Sequence, residues 1–153
     1  MAETQEASIG WGGEVFLSTD ATVGNLEELV QVVSFGLPSS ETDRVETTHL
    51  KSPNRRREYT SGLVDGGEVS VTLNFRPGSD TDILLAAAQL DGDERAVRFN
   101  VPHLGLPAWS YTTTAIVTGY DAGDVTADGK MEATVTLAIS GDVTSAAYVA
   151  PAP

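Results

Sequence analysis

The stretch EVSVTLNFRPGSDTDILLAAAQLDGD, Glu68 to Asp93, carries two different periods one after the other. In its first part Val69, Val71, Leu73 and Phe75 alternate with Glu68, Ser70, Thr72, Asn74 and Arg76. A period of two is the signature of a half-buried strand. After Pro77-Gly78 the pattern changes, and Ile83, Leu84, Ala87 and Leu90 recur at helical spacing. Ser79 suits the N-cap of that helix, and Asp80 and Asp82 suit the positive end of its dipole. Asp91-Gly92 punctuates its end. The expectation is a strand, a turn and one helix over about residues 80–90.

The strand period recurs on both sides. KMEATVTLAIS places Met131, Ala133, Val135, Leu137 and Ile139 on one face, and RAVRFNV does the same with Val97, Phe99 and Val101. AWSYTTTAIVTGY, Ala108 to Tyr120, is rich in β-formers, with threonines on both faces. Two more strands are expected earlier, in EVFLST (Glu14 to Thr19) and LVQVVSFGL (Leu29 to Leu37). Asp128-Gly129 lies between two of the strands, where a hairpin turn belongs, and Gly66-Gly67 opens the strand at Glu68.

This order implies a mainly β protein, an antiparallel β-sandwich or open barrel with one flanking α-helix. A chain of 153 residues is enough for one domain with a real core. The whole chain is read as one domain, with residues 1–12 and 143–153 as flexible arms. No internal repeat is visible. The region 38–62 has no long apolar run, and loops of that length in a compact domain are usually functional or disordered.

Composition limits the chemistry. The chain has no cysteine, so disulfides, iron–sulfur clusters and thiolate zinc sites are excluded. No apolar run approaches the roughly 20 residues that span a bilayer. The polar start MAETQEASIG does not read as a secretory signal, which points to synthesis in a cytoplasm. His49 and His103 each stand alone, without H-E-x-x-H spacing, and read as loop or packing residues. There is no G-x-S-x-G elbow and no phosphate-binding G-x-x-x-x-G-K-[ST] loop. DAGDVTADGKME, Asp121 to Glu132, is acidic, but Gly123 and Thr126 fall where a calcium loop needs an oxygen ligand and a glycine. It reads as a solvated hairpin. No catalytic residue, no cofactor and no metal site is expected.

The charge is distributed unevenly. Formal net charge is -13, yet Arg44, Lys51, Arg55, Arg56 and Arg57 cluster in one segment with Glu46 as the only acid between Arg44 and Arg57. Three readings are open. The cluster is a solvated loop, a nucleic-acid patch, or a surface complementary to the acidic body of another copy. The overall charge weighs against nucleic acid, whose binding rests on Lys and Arg neutralising phosphates. A contact between unlike surfaces of two copies is heterologous, and such contacts close into rings or run on as filaments. Arg44, Lys51, Arg55, Arg56, Arg57 and Tyr59 are the candidate interface residues.

The run from Val32 to Ser79 resembles the major tail tube proteins of long-tailed bacteriophages. The resemblance is carried by Leu37-Pro38 ending a strand, Glu41 to Thr48, Ser52-Pro53, Arg55 to Tyr59, Gly62-Leu63, DGGEVSVTLNF and Pro77-Gly78. The following helix, the later strands and VTLAISG extend it over roughly Gly13 to Gly141. A tube protein of a gene transfer agent would look the same. The resemblance implies a virion structural protein in which six copies form a ring whose strands join into an inner β-barrel. Rings would stack head to tail around a tape-measure protein, alongside other tail proteins, and DNA would pass through the lumen without specific binding. The long loop and terminal arms would bridge subunits. A negatively charged lumen would let DNA slide. No membrane partner is implied. The C-terminal immunoglobulin-like domain of some relatives is not expected. Strands such as EVSVTLNF carry no internal Lys or Pro, as suits edges paired between subunits or strands central within one. The other class of function is a non-catalytic β-sandwich binding module that holds an acidic partner with the loop Arg44 to Tyr59.

Overall fold

The protein is described by a computed structural model covering residues 9–19 and 25–149. Among the described residues nine strands and one α-helix follow in the order β1 Glu14–Ser18, β2 Leu26–Glu28, β3 Val32–Phe35, β4 Glu41–Glu46, β5 Tyr59–Asp65, β6 Glu68–Asn74, α1 Asp80–Asp91, β7 Arg95–His103, β8 Leu106–Ala122 and β9 Glu132–Ala147, with a 3-10 turn at Pro53–Arg55. Seven strands form one antiparallel sheet in the order β2-β1-β7-β8-β9-β6-β3, while β4 and β5 pair only with each other. The protein is mainly β, an open half-barrel with one helix against it.

The alternation read from the sequence sets the registers. Val69, Val71 and Leu73 of β6 lie opposite Leu137, Val135 and Ala133 of β9, and all six are buried. The sheet curls over this face until its far edge meets its middle. Phe35 of β3 stacks on Phe99 of β7 with ring centroids 5.7 Å apart. Leu29 donates its N–H to Val15 at 2.9 Å. β8 and β9 are much longer than the usual 3–10 residues of a strand, and bulges between Thr112/Thr114 and Val117/Gly119 bend their pairing.

The helix closes the open side. Ser79 caps it by accepting from Asp82 N–H at 3.2 Å, and Gly92 ends it with φ of 68°. Its buried residues are Thr81, Leu84, Leu85 and Ala88. The face expected from Ile83, Leu84, Ala87 and Leu90 is therefore mostly turned out. Tertiary bonds choose the rotation. Thr81 Oγ1 accepts from Val30 N–H at 3.3 Å, and Tyr120 donates its hydroxyl to Asp82 at 2.7 Å. Burial, with that hydrogen bond and the charge of Asp82 adding to it, pushes the Tyr120 phenol well above its ordinary range. At the other end Arg95, only 5% exposed, donates to the Ser18 carbonyl at 3.0 Å and to Asp91 at 3.1 Å.

Of the two positions open for EVSVTLNF, the interior one holds, since β6 lies between β9 and β3. Three expectations need correction. The strand expected over Leu29 to Leu37 is shorter, because Gln31 adopts φ of 59° and turns the chain before β3. The region 38–62 is not a bare loop but holds most of the β4–β5 hairpin. Residues 143–147, expected within an arm, are the end of β9 and pair with β8. The remaining arm residues 1–8 and 150–153 lie outside the described residues.

Candidate assembly interface

The β4–β5 hairpin leaves the body at a pivot that only glycine allows. A Cβ on Gly66 would stand 2.7 Å from Ile139 Cγ2, and Gly67 adopts φ of 72° while its N–H donates to Asp65 Oδ1 at 2.9 Å. Every residue of β4 is exposed, and in β5 only Gly62 is half-buried. Val45, Leu63 and Val64 face solvent with them. A lone two-stranded hairpin is marginal in water, so a covered state of this arm is the physically favoured one.

Its distal loop is nevertheless ordered by its own polar groups. Glu58 accepts from Ser52 Oγ at 2.7 Å and stands 3.4 Å from His49 Nε2. His49 N–H donates to Ser52 Oγ, and Lys51 N–H donates to His49 Nδ1. Glu58 N–H donates to Thr48 Oγ1 at 2.8 Å. His49 thus organises the loop. Asn54 and Arg55 both adopt positive φ, of 54° and 56°, a conformation unusual for a side chain as large as arginine.

The six candidate residues fall into two groups. Arg44 lies over the Tyr59 ring at 4.3 Å, and Arg57 stands 4.0 Å from Glu46. Lys51, Arg55 and Arg56 lie at the tip, without an ion pair among the described residues. Sequence reasoning missed Glu58, which sits just past the counted segment and anchors the loop. Over residues 41–65 the arm carries five acids and five bases, so it is neutral. It is polarised, however: Leu50 to Arg57 holds four of the bases and no acid, while the acids sit toward the root.

Two other features face outward. A groove of about 510 Å³ is lined by Trp11, Val32, Val33, Phe35, Leu37 and Val101, among others, with no charged side chain. From Ser140 to Ala147, β9 pairs with β8 on one side and has no strand on the other among the described residues. His103 ends β7 at the tight turn through Leu104 and Gly105, both with positive φ. No group of three metal-ligating side chains occurs among the described residues.

This fold recurs in solved tails and injection machines. The tail of an empty gene transfer agent particle, computed with C6 symmetry, matches with a TM-score of 0.65 and 20% identity over 85% of this chain and 93% of that one. The SPP1 tail tube matches with a TM-score of 0.66 and 16% identity, over 94% of this chain and 81% of that one. A chain of the anti-feeding prophage baseplate matches with a TM-score of 0.70 and 13% identity, over 94% and 97%. No curated protein matches the sequence. The lambda phage tail tube protein family matches residues 19–146, and the chain belongs to that family. It is a structural subunit of a virion tail tube.

Proposed function

We propose that six copies of this chain form a ring, and that rings stack head to tail into the tube of a phage or gene transfer agent tail. The observation that carries this reading is the hairpin arm. It exposes apolar side chains along an arm that is neutral overall and gathers Lys51, Arg55, Arg56 and Arg57 near its tip, on a body with 17 acids outside the arm against four bases. The C6 tail of the related gene transfer agent particle supports the ring size. The unpaired edge of β9 from Ser140 to Ala147 suits strand pairing between neighbours, which would extend the sheet around the lumen. Arg44, Arg57 and Tyr59 stiffen the arm, and Lys51, Arg55 and Arg56 orient it toward acidic surface on another copy.

In this reading the chain is one tube domain, made in the host bacterial cytoplasm and ending in the virion tail. A tape-measure protein and other tail proteins are its further partners. DNA passes through without specific binding, because the acidic body repels a polyanion. The family is structural, which is the ground for assigning the chain no catalytic step.

Negative-stain electron microscopy of the concentrated protein across a salt series, alone and with the other tail proteins, tests the proposal. Rings or hollow stacked tubes are expected. Dispersed particles in every condition would overturn it in favour of a binding module that holds an acidic partner with the same loop.

A further inference from the structure

We propose that the outer face of α1 is the docking surface for the hairpin tip of a second copy of this chain. The inference rests on the tube reading and names the two surfaces that meet.

The helix presents an apolar stripe to solvent. Ile83, Ala86, Ala87 and Leu90 are all exposed, at spacings of i, i+3, i+4 and i+7, with Ile83 60% and Leu90 87% accessible. Its opposite face, Thr81, Leu84, Leu85 and Ala88, already fills the core, so the stripe has no packing role among the described residues. A contiguous exposed apolar face marks an interaction site.

The end of this stripe carries the wrong charge for a free helix. A helix C-terminus is a partial negative pole and favours cations in its last turn. The last turn of α1 has no basic residue. Asp91 stands there, followed by Asp93 and Glu94, all exposed. Arg95 is turned inward to Asp91 and the Ser18 carbonyl, and among the described residues Glu94 has only the neutral Ser140 hydroxyl at 2.6 Å. The surface is apolar along the helix and anionic at its end.

The hairpin tip has the complementary pair of properties. Leu50 is fully exposed at the apex, and Lys51, Arg55, Arg56 and Arg57 surround it without an acid between Leu50 and Arg57. Long basic side chains lay their stems on apolar surface while their heads reach carboxylates. No ion pair joins hairpin and helix within the chain among the described residues, so the partner is another copy. The two competing surfaces each lack one property. The groove beside Trp11 has no charged lining residue. The β8–β9 turn has Asp124 and Asp128 but only one large exposed apolar residue, Val125, and its Lys130 already pairs with Glu132 at 3.1 Å.

The absence of cysteine makes the contact directly testable. Leu50→Cys and Leu90→Cys are combined in one chain, both at exposed positions where no packing is lost. Assembled tubes are oxidised mildly and run on a non-reducing gel. Because a disulfide needs Cα atoms within about 7 Å, a ladder of covalent multimers reports the contact, and it is expected only for this pair. A ladder from Leu50→Cys with Val33→Cys or with Val125→Cys instead would overturn the inference. As a second measurement, Asp93→Arg with Glu94→Arg is expected to cut pelletable tube at least tenfold, with recovery when Arg55→Glu and Arg56→Glu are added. Unchanged tube yield with the acids reversed would also overturn it, while the tube reading would stand. If the unaltered protein forms no tube under any condition, the tube reading falls and takes this inference with it.

Discussion

The sheet body and the hairpin arm are both antiparallel β-structure, yet they are held by different forces. In the body, the central strands bury one face of the sheet, and Val71, Val97, Phe99 and Val135 have no accessible surface. In the arm, β4 buries nothing, and order comes from hydrogen bonds around Glu58 and a cation–π contact between Arg44 and Tyr59. The body is thus stable by its own burial, whereas the arm has its apolar residues still to cover. A subunit divided this way folds first and spends its remaining contacts on its neighbours.

The largest effect separating the two regions is expected at Phe99. Phe99→Ala removes a fully buried ring and its stack on Phe35, and a change of this kind costs about 3–5 kcal/mol. Chemical denaturation followed by circular dichroism measures it; a loss comparable to that of an arm substitution would erase the distinction. Tyr120→Phe removes the hydrogen bond that ties β8 to Asp82 near the start of α1. A loss of about 0.5–1.5 kcal/mol is expected by the same assay. Reversing Arg55, Arg56 and Arg57 to Glu together is expected to move subunit stability by less than about 0.5 kcal/mol, as surface changes usually do. The same triple variant is expected to abolish tube formation in sedimentation, so a variant that still pellets as tube would show that the tip charge plays no part in assembly.

The smallest effect lies on the edge strand β2. Burial, helped by the nearby charge of Glu14, raises the Glu28 carboxyl above its ordinary value. Folding therefore disfavours its ionised form, and the strain is relieved as pH falls through the acid range where Glu28 takes up its proton. Glu28→Gln is expected to give a slight gain in melting temperature at neutral pH that fades below pH about 4, near the ordinary glutamate value. A gain that persists unchanged into acid would assign the effect to something other than this charge.

Much of the candidate interface was legible as charge. Arg44, Lys51, Arg55, Arg56, Arg57 and Tyr59 stand out in a chain of net charge -13, and all six lie on the arm. Its backbone was not legible. ETDRVE in β4 has no alternation, because neither of its faces is buried, and a period of two arises only where one face is. The stripe on α1 was hidden for the opposite reason. ILLAAAQL is apolar on nearly every side, so several rotations of the helix are equally plausible from sequence.

The sequence by itself determined the alternating strands at the centre of the body and the ends of the helix. Those features depend on local rules: alternation in β6 and β9, the Ser79 cap, the Gly92 stop. It also determined that positive charge collects near Arg55. Only the tertiary structure decided which face of α1 turns outward, that β6 is interior, and that the arm pairs with itself rather than joining the sheet. Each of those outcomes depends on which distant groups meet, such as Thr81 with Val30 or Gly66 with Ile139. Contacts between residues far apart in the chain leave no period in the sequence, so local pattern cannot carry them.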